Sequence, residues 1–444
     1  MLIKIAQLFL SLTILVTLHE FGHFWFAKKF KCRVDKFYLF FDFLFPFASV
    51  MNFALFKKKV GDTEYGIGWF PFGGYVQIAG MVDEQMDKSI IESPPQPWEL
   101  RSKPAWQRLL VMMGGILVNL VLGILIFWMA LLVWGKETLP ITNIPNGLMV
   151  DSAAYNVGLR DGDFITSLDG KPVRSINRIP IEIIMNGVNT IEGIHANGER
   201  FSLPITNDDR GKILKRMKKS TFVAPRRYIT EIDSIDASSY AANADLKKKD
   251  KILAVNGVPV KFMDQLKSEV VKNKNKKVEL TVLRGKEVIT THCQVSGQGM
   301  LGIAHEPFQE LKVEKQEFGF FQAFNQGLKD GLELIVMQAK QFVVLFTVKD
   351  AHQQVGGFYT MVQQMNSTWD WQQFWMFTGF LSLALAFMNF LPIPMLDGGY
   401  IMFILWEMIT GKKVSDKVIY YANNVGLFIV LGLMVYANTD WLRN

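Results

Sequence analysis

Residues 2–27 form an apolar run about as long as a helix needs to cross a ~30 Å hydrocarbon layer, yet His19, Glu20 and His23 lie inside it. Such a run constrains the fold strongly, because in lipid only a helix or a closed barrel satisfies its own backbone hydrogen bonds. Three further runs, 109–134, 374–392 and 418–436, are of similar length. Half of the 444 residues are hydrophobic and 35 are Phe, which argues against an ordinary soluble protein. The 20% of charged residues argue against a wholly intramembrane one. The expectation is a multi-pass α-helical membrane protein with four transmembrane helices and a large polar insertion. The formal charge of +7 is spread along the chain, so nucleic acid is not an expected partner, whereas a lipid bilayer is.

Basic clusters at 28–33, 57–59, 101–108 and 412–417 fall on the cytoplasmic side by the positive-inside tendency, outvoting Lys4. The 135–373 segment and both termini are then extracytoplasmic. The first run lacks an A-x-A-type cleavage site and is expected to stay as a helix. Cys32 and Cys293 would lie on opposite sides of the membrane, so no disulfide is expected. The chain divides into a first transmembrane helix (1–28), a cytoplasmic or membrane-associated region (29–107), a second helix (108–135) and two β-rich domains (136–222 and 223–308). An amphipathic extracytoplasmic segment (309–373), a third helix (374–393), a cytoplasmic loop (394–417) and a fourth helix (418–438) follow. Helical spacing of Phe320, Phe321, Phe324, Leu328, Leu332 and Ile335 suits either a helix at the membrane surface or one packed on a core.

The two β-rich domains are read from an internal repeat. Asp163-Phe164-Ile165 followed by Asp169-Gly170-Lys171-Pro172-Val173 recurs 87 residues later as Asp250-Lys251-Ile252 followed by Asn256-Gly257-Val258-Pro259-Val260. A period near 90 suits two copies of a small domain, and Asp-Gly and Asn-Gly between apolar strands read as hairpin turns. Gly158-Leu159-Arg160 with Gly162-Asp163 and Ile165 resembles a PDZ domain core. Ala244 through Ile252 is a degraded second copy, with Asp245 and Lys249 in place of the glycines.

On a helix, His19 and His23 share one face and can ligate one zinc ion. Glu20, beside the first imidazole, is placed to take a proton from an attacking water. Charged groups at mid-membrane cost on the order of 2–3 kcal/mol each, which favours function over structure. Zinc needs a third protein ligand, and the candidate is Asp397 in the Asn389–Gly399 stretch, where Pro392 and Pro394 break the helix. Alone, Asp397 reads as a helix cap. The other four histidines, His195, His292, His305 and His352, lie in the extracytoplasmic segment.

The pairing of HEFGH on the first run with N-x-x-P-x-P-x-L-D-G at the third resembles the site-2 protease family of intramembrane zinc metalloproteases. Four spans with tandem PDZ domains between the second and third resemble its bacterial members, and the resemblance covers nearly the whole chain. It implies a cell inner membrane location, His19, His23 and Asp397 as zinc ligands, and Glu20 as general base. It also implies substrate contacts at Asn389 and, through the Gly114-Gly115-x-x-x-Asn119 element, at Asn119. The segment 64–78 resembles the family's membrane-associated β-hairpin, whose strand Tyr75, Val76, Gln77 and Ile78 would clamp an unwound substrate. Ile116 departs from the proline usual in that element, and Val355-Gly356-Gly357 departs from a Ser-Gly-Pro-like element. The implied substrates are single-span membrane proteins already shortened outside, such as an anti-sigma factor, or remnant signal peptides. A zinc-binding transporter and a PDZ scaffold with an inactive core are the rival readings.

Overall fold

The computed structural model describes residues 1–43, 53–71, 73–81, 94–217, 221–306 and 311–439. The chain forms two compact units. One comprises residues 1–136, 317–343 and 355–444, and the other 137–316 with 344–354.

The first unit is built on helices α1 (Leu2–Lys29), α2 (Ala105–Trp134), α3 (Phe320–Thr347, shared with the second unit), α4 (Trp371–Phe390), α5 (Asp397–Thr410) and α6 (Asp416–Asn438). Of these, α1, α2, α4 and α6 are long and apolar enough to cross a membrane, at 28, 30, 20 and 23 residues. Each is a few residues offset from its apolar run, because polar ends such as Asp370 and Ser415 cap helices by accepting backbone N–H bonds. Close packing of α1 on α2 rests on glycine: a Cβ on Gly22 would collide with the Gly114 carbonyl. Buried hydroxyls add ties between helices. Ser11 and Thr378 share a 2.7 Å hydrogen bond from α1 to α4, and Ser382 donates to the Asn119 carbonyl at 2.7 Å. Such bonds in a bilayer are worth about 0.6 kcal/mol each.

Two expectations are corrected here. Residues 394–417 are not simply a loop, since Asp397–Thr410 is a helix, α5, closed by Gly411 in the left-handed region. The 64–78 segment is not one hairpin. Strands β1 (Val34–Tyr38), β2 (Ala54–Val60), β3 (Thr63–Gly68) and β4 (Tyr75–Ile78) form a sheet in the order β2-β3-β1-β4. The hairpin is β2–β3, turning at Gly61 (φ +61°), while β1 lies between β3 and β4, parallel to the one and antiparallel to the other. Strands β3 and β4 therefore flank β1 on opposite sides, and Phe72, between them in sequence, lies outside the described residues. Helix α3 packs Ala323 and Gly327 toward α2 and bonds its Phe320 carbonyl to Trp128 Nε1 at 3.1 Å. Its opposite face leaves Phe321, Leu332 and Val336 exposed.

The second unit holds two β-rich cores. In one, the sheet runs Arg200–Pro204, Thr190–Ile194, Phe164–Leu168, Lys171–Pro172. In the other it runs Val258–Pro259, Lys251–Val255, Lys277–Arg284, Glu287–Gln294. The cross-strand pairs Ser167↔Pro172 and Leu168↔Lys171 recur as Ala254↔Pro259 and Val255↔Val258, each displaced by 87. Both turns carry two positive φ angles, Asp169-Gly170 (+47°, +72°) and Asn256-Gly257 (+49°, +77°), as two-residue hairpins require. Buried Asp163 accepts from the Arg160 amide and buried Asp250 from the Lys247 amide, both at 2.8 Å and again 87 apart. The copies diverge in the second partner: His195 for Asp163, Arg284 for Asp250.

Candidate metal centre

The i, i+4 spacing on α1 sets the two imidazoles side by side with ring centroids 4.8 Å apart. Asp397 arrives from the other end of the chain as the first residue of α5. Prolines 392 and 394 end α4, and Met395 then takes φ +82°, a left-handed conformation that costs a non-glycine residue about 1–3 kcal/mol. Gly398 and Gly399 let the first turn of α5 fold against Leu391, Ile393 and Pro394, where a Cβ would strike backbone. The strained turn thereby aims the Asp397 carboxylate at α1.

The three ligand atoms form a nearly equilateral triangle. His19 Nε2 lies 3.2 Å from His23 Nε2 and 3.2 Å from Asp397 Oδ2, and His23 Nε2 lies 3.3 Å from the same oxygen. A tetrahedral zinc ion with ligands at about 2.0 Å has edges of about 3.3 Å, so these residues fit it. Among the described residues buried Asp397 Oδ2 has no neighbouring donor beyond these two imidazoles, as an atom kept for a cation would be. Among the described residues this is the one such cluster of three.

The surroundings fix the rings. His23 Nδ1 donates to the Val111 carbonyl at 2.8 Å, which leaves Nε2 with its lone pair toward the triangle. His19 Nδ1 lies 3.2 Å from Asn119 Nδ2, while Asn119 Oδ1 is buried with no partner. In the ligating tautomer Nδ1 carries the hydrogen, and turning the Asn119 amide over would present Oδ1 to it as the acceptor. Asn119, expected to meet substrate, lies against His19, because its side chain on α2 faces α1. Gly115 leaves room for the rings: a Cβ there would stand 2.5 Å from His23 Nε2.

Glu20 Oε2 accepts from the Val76 amide of β4 at 3.1 Å. Among the described residues β4 pairs only with β1, so this amide lies on the outer edge of the sheet. Tyr75 is held by a 2.8 Å bond from its hydroxyl to Asp42, and Ile78 is buried, so the edge is rigidly based, with Gln77 half-buried between. Asn389 sits half-buried on the last turn of α4, its carboxamide bonded to none of the three ligands. The Val111 carbonyl went unseen in the sequence, since a backbone group leaves no signature there. Gly357 caps the short helix Phe358–Gln364 and packs on Ala437, a structural place for the Val355-Gly356-Gly357 element.

Apolar spans enclosing two imidazoles and two carboxylates, three of these groups at metal-ligating distances, define a membrane-embedded, metal-dependent hydrolase. The family model of peptidase family M50 matches residues 7–433, and the chain belongs to this family of zinc-dependent membrane proteases. A protein of Treponema pallidum (strain Nichols) named "Putative zinc metalloprotease" is 28% identical over 97% of this chain and 96% of its own. The regulator of sigma E protease of Haemophilus influenzae is 25% identical over 99% of each chain. The regulator of sigma-E protease RseP of Salmonella typhimurium is 24% identical over 97% of this chain and 96% of its own.

Proposed function

We propose that the chain hydrolyses a peptide bond inside the membrane-spanning segment of single-span proteins, with His19, His23 and Asp397 holding zinc and Glu20 as general base. The 3.2–3.3 Å triangle with Glu20 tethered to a free strand edge is the observation that carries this reading. Zinc, when bound, supplies a Lewis acid for the scissile carbonyl and for the attacking water. Glu20 takes the proton of that water and returns it to the leaving amine, while the Val76 amide keeps the carboxylate oriented. A substrate helix must unwind first, because its carbonyls are otherwise hydrogen-bonded and shielded. The free edge of Tyr75–Ile78 receives the unwound strand by β-augmentation, and Asn389 holds it from α4. His19 stands nine residues before Lys28, which at ~1.5 Å each places the cut roughly 14 Å above the cytoplasmic boundary.

The two β cores of the second unit are read as tandem PDZ domains on the extracytoplasmic side. They screen the size of a substrate's outer portion or read its new terminus. The relatives' names point toward sigma-factor regulation, so a pre-cleaved anti-sigma factor is the first substrate to try and remnant signal peptides the second. The test follows a tagged single-span substrate, truncated outside, co-expressed with wild type or Glu20→Gln. A cut within the span by wild type alone supports the reading. Equal zinc in both proteins with no cut across a panel of substrates favours the inactive scaffold.

A further inference from the structure

Helix α6 is the least buried of the four long apolar helices, and its buried residues are Ile419 and Gly426. Ile419, Asn423 and Gly426 follow the i, i+4, i+7 pattern of one helical face. From that face Asn423 Oδ1 accepts the Met395 amide at 3.1 Å, and Asn423 Nδ2 donates to the Tyr400 hydroxyl at 2.6 Å. One carboxamide therefore grips both flanks of Asp397, two residues before it and three after. Three residues further along, Gly426 meets the Pro394 carbonyl so closely that a Cβ would collide with it. The gripped amide is the one at positive φ, which relaxes to ordinary backbone unless something holds it.

Resting on the metal-site reading above, we infer that α6 braces the Pro394–Asp397 turn and that Asn423 is a positioning residue for the third metal ligand. It touches neither ligand triangle nor substrate strand; it acts by fixing where the Asp397 backbone starts. Loss of the grip leaves α6 attached elsewhere, since Asn438 Oδ1 accepts the Phe358 amide at 3.0 Å and Gly357 packs on Ala437. The consequence is a weaker metal site in a folded protein.

The experiment uses the full chain in detergent as wild type, Asn423→Ala, Gly426→Val and, as control, Phe428→Ala on the exposed face of α6. Three readouts are taken: hydrogen exchange across 391–400, zinc retained against a competing chelator, and cleavage kinetics on the truncated single-span substrate. Asn423→Ala should speed exchange in that stretch and weaken zinc binding about 10–100-fold, with kcat falling more than KM rises, while Phe428→Ala changes neither. Gly426→Val should act alike by pushing Pro394 away. Unchanged exchange in Asn423→Ala, or faster exchange with wild-type zinc affinity, overturns the inference. Failure of the metal reading shows separately, as a His19→Ala chain with the zinc content of wild type, and the exchange data still decide on the brace.

Discussion

Gly115 packs directly against both imidazoles. A methyl there would sit 2.5 Å from His23 Nε2 and 2.5 Å from His19 Cε1, so Gly115→Ala must displace one imidazole. We expect it to lower zinc affinity at least about tenfold, seen as metal lost on dialysis, with the helix content of the wild type kept. His19, Glu20 and His23 were legible in the sequence because their geometry is local: a helix alone brings i and i+4 together. Asp397 was legible only as a candidate, since a carboxylate after two prolines reads equally as a cap. Asn423 was not legible, because its partners are set by tertiary packing and its side chain is ordinary for a helix facing protein. The contact of Asn119 with His19 was not legible either, since its spacing from Gly115 does not say which face of α2 the first helix covers.

Among elements, the apolar helices were readable because length and hydropathy decide them, and lipid leaves the backbone few alternatives. The sheet was not. Strands β3 and β4 are near in sequence, yet β1 separates them, and a parallel pair leaves no turn signature between its strands. The free edge of β4 nevertheless falls where strand addition requires it. Val76→Pro removes the amide that holds Glu20 and blocks pairing along the edge, so kcat/KM should drop by about 100-fold. Val76→Ala, which keeps the amide, should stay near wild type in the same cleavage assay. Equal losses from both would assign the effect to side-chain packing.

For the whole molecule, the 87-residue repeat was legible down to register, because two-residue turns fix which residues face each other. Sidedness is open to a direct check. With Lys58→Cys and Lys248→Cys made separately, a membrane-impermeant maleimide should label position 248 in intact spheroplasts and position 58 only after lysis. The two native cysteines are buried and give a low background. Reversed labelling would invert the proposed topology. The metal centre also has an order of birth. Its imidazoles and its carboxylate lie 374 residues apart (23 to 397), so the first helix is in the bilayer long before its third ligand exists. At about 5–20 residues per second of synthesis, that interval lasts roughly 20–75 s. During it the nascent chain carries two of the three proposed ligands and lacks the third. On the proposed ligand set, the site can close only once Asp397 has been synthesised and has folded back against the first helix.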